Sequence, residues 1–173
     1  MMDEYFDQRI EEKLNRHRQR PLPGLSRRQW LEQDGFECVH CHVFVSSEPA
    51  LSGVQNRNHC PYCLWSRHLD LVRPGDRLAA CKEKMKPVGL ALKKTGKKYG
   101  TGLGELMLIH LCQECSKVSI NRIAADDLAG TLYELFERSL VLDAQSKAAI
   151  KDSGIEMLSA RDRRMVKARL FGD

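Results

Sequence analysis

Residues 57–64 read RNHCPYCL, in which Cys60 and Cys63 stand two residues apart and a histidine directly precedes the first of them. Two cysteines at this spacing indicate a redox pair, one half of a metal site, or part of a catalytic His/Cys arrangement. A C-x2-C turn lets two thiolates approach one Zn²⁺ from a single backbone loop, and a second such turn completes a tetrahedron. The other cysteines decide between these interpretations.

Two further pairs have the same spacing, and a seventh cysteine stands alone. The pairs are Cys38 with Cys41 and Cys112 with Cys115, and the single residue is Cys81. Between the first pair and the pair at 60–63 lie 18 residues, within the range of a C-x2-C…C-x2-C zinc ribbon. Free cysteines packed as small hydrophobic residues would not give three equally spaced pairs. The sequence therefore predicts a zinc site built from the first two pairs.

Three thiolates are left over, and they need a fourth ligand. They belong to Cys81, Cys112 and Cys115, and the candidate partners are His68 and His110. We favour His68, because His110 lies in a predicted strand, where a backbone hydrogen bond would explain it. A second zinc with three cysteines and one histidine follows. An interleaved arrangement, in which the first cysteine pair joins the third, satisfies the same count and stays open. Two zinc ions are expected, and one at minimum.

Other chemistries of cysteine pairs fit this chain less well. The string CVHCH at 38–42 matches the motif of c-type haem attachment, but the charged N-terminus has no apolar stretch typical of an exported protein. A thioredoxin-like pair would lie in a βαβ context that opens a helix, and the surroundings of Cys60 show none. The H-x-E motif of zinc deaminases does not occur in the sequence.

Positive charge is concentrated in the part of the chain that carries the cysteines. The net charge of the 173 residues is +5, whereas residues 38–123 alone hold 13 Lys and Arg against 6 Asp and Glu. No apolar run approaches the ~18 residues of a membrane span. Seven cysteines in an odd count, without a signal peptide, are typical of a reducing compartment. We therefore expect a soluble, cytoplasmic protein with a basic middle section.

Secondary-structure patterns divide the chain into three parts. Residues 1–35 form a predicted helical extension, because strong helix formers fill residues 3–20 without Gly or Pro. Residues 36–127 form a predicted zinc-binding domain of short apolar runs and cysteine pairs. Residues 128–173 form a predicted helical segment, since apolar residues recur there at helical spacing.

Within these parts, the sequence predicts the following elements. Strands are expected at Val43–Val45 and Leu106–Ile109, and a long loop over 82–104, which holds seven lysines and five glycines. Helices are expected from about Ala124, over 142–152 and over 155–170. The predicted fold class is α+β: a small zinc-stabilised core of short strands, ribbon-like or treble-clef-like, flanked by N- and C-terminal helices.

The stretch RNHCP at 57–61 resembles the motif after which the RNHCP domain family is named. Neighbouring stretches agree with that pattern: the leading C-x-x-C, CLWSRHLD at 63–70, PGDR at 74–77, HLCQEC at 110–115 and NRIAADD at 121–127. The resemblance covers about residues 36–127, and it implies zinc binding without implying a particular activity. The chain departs from the pattern at 82–84, where a glycine-containing segment is expected, and at Ser116, where zinc knuckles often have glycine.

The predicted partner is RNA or a ribosome. Lysines on flexible stems suit phosphate contacts, and Tyr62, Trp65 and Tyr99 offer surfaces for stacking on unpaired bases. The residues predicted to contact nucleic acid are Arg57, Arg67, Lys82, Lys84, Lys86, Lys93, Lys94, Lys97 and Lys98. An ordinary solvated lysine-rich loop has the same composition.

Two other functions stay open, and no catalytic residue is assigned. One is a zinc-supported nuclease, whose candidate residues are His59, His68, Asp70 and Asp76. The other is an adaptor with purely structural zinc, which would dock on a protein partner through the C-terminal residues Leu158, Met165, Leu170 and Phe171.

Overall fold

A computed structural model describes residues 35–93 and 104–172. In chain order, the elements within these ranges are β1 (Gly35–Glu37), β2 (Phe44–Ser46), α1 (Pro49–Ser52), β3 (Ser66–Arg67), β4 (Lys84–Lys93), β5 (Glu105–Cys112), β6 (Val118–Arg122), α2 (Ala129–Ser139), α3 (Ala144–Asp152), a 3₁₀ turn (Ala160–Asp162) and α4 (Arg163–Phe171). β1 and β2 form a two-stranded antiparallel sheet, and β3–β4–β5–β6 form a four-stranded antiparallel sheet in that order. The predicted α+β class is confirmed. The helix predicted over residues 3–20 lies outside the described residues.

The loop predicted over residues 82–104 is wrong for its first half, because Lys84–Lys93 forms the longest strand of the described sheet. The lysines and glycines of this span suggested a loop, but Pro87 and Gly89 lie at a bulge where the register of β4 against β5 shifts. A bulge lets a strand continue past a proline that has no amide to donate. The apolar residues that follow are buried against the neighbouring strand and helices. Residues 94–103 lie outside the described ranges.

Both faces of the four-stranded sheet carry an apolar cluster. Leu108 and Ile109, which are neighbours on β5, belong to different clusters, as the alternation of side chains along a strand requires. The first cluster includes Phe136 of α2 and Val166 of α4, and the second includes Ile150 of α3. The helices of residues 129–171 therefore share the core of the sheet.

None of the helices in the described ranges is long and apolar enough to cross a bilayer.

The segment between α3 and α4 covers part of the edge of β4. The amide of Leu158 donates to the carbonyl oxygen of Leu90 at 2.8 Å, and Met157 forms a bridge with Ala91. Pairing of this kind shields a strand edge from other chains. It also explains why the helix predicted over 155–170 begins only at Arg163.

The apolar stripe that suggested an adaptor is largely used by the protein's own core. Leu158 is a buried member of the first cluster, and Met165 and Leu170 pack against it. Phe171 is 47% exposed, and its ring packs edge-on against that of Tyr133 with the ring centroids 5.9 Å apart. The C-terminal helices therefore leave little of this stripe for a partner.

Substitution of Gly89 tests the packing at the bulge. A Cβ added there would lie 2.9 Å from Met157 Sδ and 3.2 Å from Ser139 Cβ. We expect Gly89→Ala to lower the free energy of unfolding by about 1–3 kcal/mol, because neighbouring atoms must shift. Urea unfolding of the zinc-loaded protein measures this.

Gly130 in α2 is the matched control, since a Cβ there meets nothing within 4 Å. Gly130→Ala is expected to be neutral or to stabilise by roughly 0.5–1 kcal/mol through helix propensity. Equal unfolding midpoints for the two alanine variants would show that the bulge is loosely packed.

Candidate metal centres

The three C-x-x-C turns share one backbone conformation. In each, the amide of the first cysteine donates to the carbonyl oxygen five residues later, in the pairs Cys38–Val43, Cys60–Trp65 and Cys112–Lys117, at 2.9, 3.0 and 2.9 Å. The residue after the second cysteine has a positive φ each time: His42 at 60°, Leu64 at 63° and Ser116 at 57°. These three turns therefore adopt the left-handed conformation without a glycine. The departure at Ser116 leaves the turn intact.

Centre 1 consists of Cys38, Cys41, Cys60 and Cys63, all of which are buried. Three sulfur–sulfur distances are 3.5 Å for Cys38–Cys63, 3.5 Å for Cys41–Cys63 and 3.6 Å for Cys41–Cys60. Zn–S bonds of about 2.3 Å place the sulfurs of a tetrahedron about 3.8 Å apart. These three distances match zinc to within a few tenths of an ångström, all four sulfurs lie within 4.8 Å of one another, and the donor set is that of a structural four-thiolate site.

The thiols of centre 1 are too close together to ionise independently. Hydrogen bonding to Cys38 and Cys41, followed by burial, raises the pKa of Cys60 and Cys63 above the usual thiol range. Hydrogen bonds from Cys41, Cys60 and Cys63 lower the pKa of Cys38. Without a cation, the negative charge is therefore confined to part of the cage. A divalent cation removes this restriction and releases the remaining protons.

Centre 2 consists of His68, Cys81, Cys112 and Cys115, whose ligand atoms all lie within 4.8 Å of one another. The sulfurs of Cys81 and Cys112 are 3.7 Å apart, and His68 Nδ1 lies 3.3 Å from the sulfur of Cys115. Burial, with smaller effects from Lys117 and Lys82, lowers the pKa of His68 and so favours the neutral imidazole that binds metals. Cys115 is exposed and Cys81 half-buried, so centre 2 lies nearer the surface than centre 1.

This arrangement decides how the cysteine pairs combine and whether His68 or His110 is the fourth ligand of centre 2. The interleaved pairing is excluded, because the Cys112 pair lies with His68 rather than with the Cys38 pair. His110 is hydrogen-bonded on both sides of its ring: Nε2 donates to the Leu64 carbonyl oxygen at 2.7 Å, and Nδ1 accepts from Asn121 Nδ2 at 2.8 Å. Burial lowers the pKa of His110 to about 3, so the ring is neutral. With both nitrogens engaged, His110 is a core histidine of β5.

A comparison with known families agrees with these centres. The family model of the RNHCP domain matches residues 33–133, a range that contains all eight ligands of the two centres. The chain belongs to the RNHCP domain family. Neither the curated proteins nor the solved structures include a match to the chain. The RNHCP domain of this protein thus combines two groups of ligands that fit two zinc sites.

Arg57 and His59 of the RNHCP motif connect the loop before α2 to the segment that precedes the Cys60–Cys63 turn. Arg57 Nη1 donates to Asp126 Oδ2 at 2.7 Å, and His59 Nε2 donates to Asp127 Oδ2 at 2.8 Å. Arg57 Nη2 lies 3.6 Å from Asp127 Oδ1. The side chains of Arg57, His59 and Asp127 are 1%, 2% and 0% exposed. The first and third residues of the RNHCP motif, Arg57 and His59, are therefore buried structural partners of the NRIAADD stretch.

The prediction that Arg57 contacts nucleic acid is therefore wrong. Its side chain is 1% exposed and its guanidinium group is paired with two carboxylates, so its positive charge is compensated inside the protein. Its partner Asp126 lies 69 residues further along the chain, and charge counting could not reveal that pairing. The presence of both RNHCP and NRIAADD in one family pattern was the only signal for it.

The residues of the nuclease hypothesis have structural roles. His59 is buried against Asp127, and His68 belongs to centre 2. Asp70 accepts hydrogen bonds from the amides of Gly75 and Arg77. The amides of Arg73, Leu71 and Val72 donate to Asp76 and hold its pKa well below the usual range. These two carboxylates organise the loop between His68 and Cys81, and the geometry provides no acid/base pair among these residues.

The remaining predicted contacts with nucleic acid divide into two groups. Those within the described ranges are all exposed, namely Arg67, Lys82, Lys84, Lys86 and Lys93. The others, Lys94, Lys97 and Lys98, lie outside the described ranges. Four of the exposed residues lie in or next to the segments where β3 and β4 adjoin centre 2, whereas Lys93 lies at the far end of β4, opposite Glu105.

Proposed function

We propose that this zinc-binding RNHCP protein binds RNA through a basic surface beside centre 2, made of Arg67, Lys82, Lys84 and Lys86. The observation that carries the proposal is the register of β3 and β4, which places Arg67 directly opposite Lys84. Like charges at directly opposed positions destabilise a sheet, so this pair lowers the stability of the protein when no anion is bound. A polyanion bound across the two side chains would remove that cost.

The basic surface has little internal compensation. Lys86 follows Lys84 by two residues and so lies on the same face of β4. Within residues 35–93 and 104–172, no carboxylate forms an ion pair with any of the four side chains. Zn²⁺ bound by three thiolates and a neutral histidine carries one net negative charge, which balances only one of the four cations.

Centre 2 also supports the proposal by holding the basic surface in place. His68 directly follows β3, and its amide donates to the carbonyl oxygen of Glu83 at 2.8 Å. Cys81 lies three residues before β4, and Lys82 Nζ donates to the carbonyl oxygen of Arg77 at 2.9 Å. Cations fixed on a metal-supported hairpin bind phosphates with less loss of side-chain entropy than cations on a free loop.

The proposal predicts a specific loss of salt dependence. We expect the triple variant Arg67→Ala, Lys84→Ala, Lys86→Ala to bind a labelled RNA of about 12 nucleotides more weakly than the wild type. The slope of log affinity against log salt should fall by about 2, since each phosphate contact with a single strand contributes about 0.7. Fluorescence anisotropy across a salt series measures both quantities.

A charge-matched control removes three exposed cations from the helices, in the variant Lys151→Ala, Arg164→Ala, Lys167→Ala. It is expected to keep the wild-type slope. The same loss of slope in both triple variants would indicate attraction by net charge alone. An absence of RNA binding by the zinc-loaded wild type would refute the proposal.

A further inference from the structure

A cleft of about 410 Å³ lies between the loops that the two metal centres hold. It is lined by the β1–β2 hairpin that carries Cys38 and Cys41, by the segments at 57–58 and 65–67, and by the loop between His68 and Cys81. Ligand pockets in proteins commonly have volumes of about 300–1,000 Å³. The cleft is therefore large enough for a small aromatic group.

The lining of the cleft combines aromatic and cationic side chains. Phe36 and Trp65 supply aromatic surface, while Arg67 and Arg77 supply positive charge at exposed positions. His40 stacks on Trp65 with ring centroids 4.3 Å apart and planes 11° from parallel, which fixes the orientation of the indole. Among the lining residues that the structure describes, Glu37 has the one carboxylate, and His42 Nδ1 lies 3.0 Å from it.

Asn58 adds a polar group to the lining of the cleft. The residue is only 9% exposed and lines the cleft, yet its side-chain amide makes no hydrogen bond to any residue of 35–93 or 104–172. A polar group in the lining of a cleft is available to hydrogen-bond to whatever occupies that cleft. An amide presents a donor and an acceptor side by side, as the edge of a nucleobase does.

We infer that the cleft receives one unpaired base of a single-stranded RNA, and this inference rests on the proposed binding of RNA. The base contacts Phe36 and Trp65, Asn58 hydrogen-bonds to its edge, and Arg67 and Arg77 bind the flanking phosphates. Arg67 belongs both to the cleft and to the basic surface, so one strand is able to continue from the first onto the second. A duplex keeps its bases paired and would reach the basic surface alone.

The test compares one RNA of about 12 nucleotides as a single strand and as a duplex with its complement. The wild type is expected to bind the single strand about tenfold more tightly at equal salt. Asn58→Ala and Trp65→Ala should each weaken single-strand binding by roughly five- to 100-fold, the range of losses when one base contact is removed. Binding of the duplex and its salt slope should stay unchanged, because the basic surface is intact.

Native mass spectrometry of each variant verifies that two zinc ions are retained, and Leu78→Ala, at a 68% exposed position outside the lining, is the control substitution. Trp65→Phe provides a milder variant, since Trp65 also packs against centre 1. Equal affinity of the wild type for strand and duplex would overturn the inference and leave the proposed function standing. Unchanged single-strand affinity in zinc-loaded Asn58→Ala and Trp65→Phe would do the same. Failure to bind either RNA would refute both.

Discussion

Replacing Cys60 by serine is expected to abolish zinc binding at centre 1 and to unfold the part of the domain around it. Cys60 is fully buried among the other three thiols, and a serine hydroxyl does not ionise to replace the lost ligand. Structural zinc contributes about 10–16 kcal/mol of apparent free energy in small zinc domains. A whole domain is stable by only about 5–15 kcal/mol. Native mass spectrometry for zinc content and circular dichroism for the unfolding transition measure the effect.

Two comparison variants make the Cys60 result specific. Ala80→Ser introduces the same hydroxyl at an exposed position beside Cys81 and should keep both zinc ions. Cys115→Ser removes the exposed ligand of centre 2 and should release one zinc while centre 1 stays loaded. A Cys60→Ser protein that is fully folded and still binds two zinc ions would contradict the structural role of centre 1.

Replacing Asp127 by alanine is the second change with a large expected effect. The substitution leaves Arg57 and His59 buried without their shared carboxylate, and the amide of Ala124 loses an acceptor at 2.8 Å. Removing one partner of a buried ion pair typically costs 3–5 kcal/mol, and we expect a loss of about that size. Urea unfolding of the zinc-loaded protein measures the free energy difference.

Asp126→Ala is the matched control for Asp127→Ala. Its side chain is 39% exposed, and its removal leaves Arg57 with Asp127 as a remaining partner. We expect a smaller loss, about 1–3 kcal/mol, which is the range for a hydrogen bond to a charged group. If the two aspartate variants were equally stable, the buried network would not be what holds the loop before α2.

Most of the metal ligands could be predicted because zinc-binding cysteines occur in pairs with a characteristic local spacing. Three C-x-x-C turns identify six ligands by position alone, and the predicted strand around His110 favoured His68 for the fourth position of centre 2. Spacing favoured a site built from the first two cysteine pairs, but it could not exclude the interleaved arrangement, since the pairing depends on how separate loops meet. Centre 2 joins His68 to Cys115 across 47 residues.

The errors arose where a distant contact overrides a local signal. Pro87 and Gly89 are poor strand residues in isolation, but the bulge and the pairing with β5 accommodate both. From the sequence alone Arg57 has the character of a surface cation. In the folded domain it is paired with Asp126 and Asp127, which lie far from it in the sequence. In both cases the decisive partner lies outside the window that propensity and charge patterns consider.

The ion pairs between the RNHCP motif and the NRIAADD stretch set an order for folding during synthesis. All four ligands of centre 1 have been made by residue 63, and joining Cys38 to Cys63 closes a loop of only 25 residues. The carboxylates that bind Arg57 and His59 are made more than 60 residues later. A nascent chain that binds its first zinc early would thus keep two uncompensated polar groups beside the metal until Asp126 and Asp127 emerge. The side chains of the RNHCP motif therefore acquire all their partners only after the last part of the domain has been synthesised.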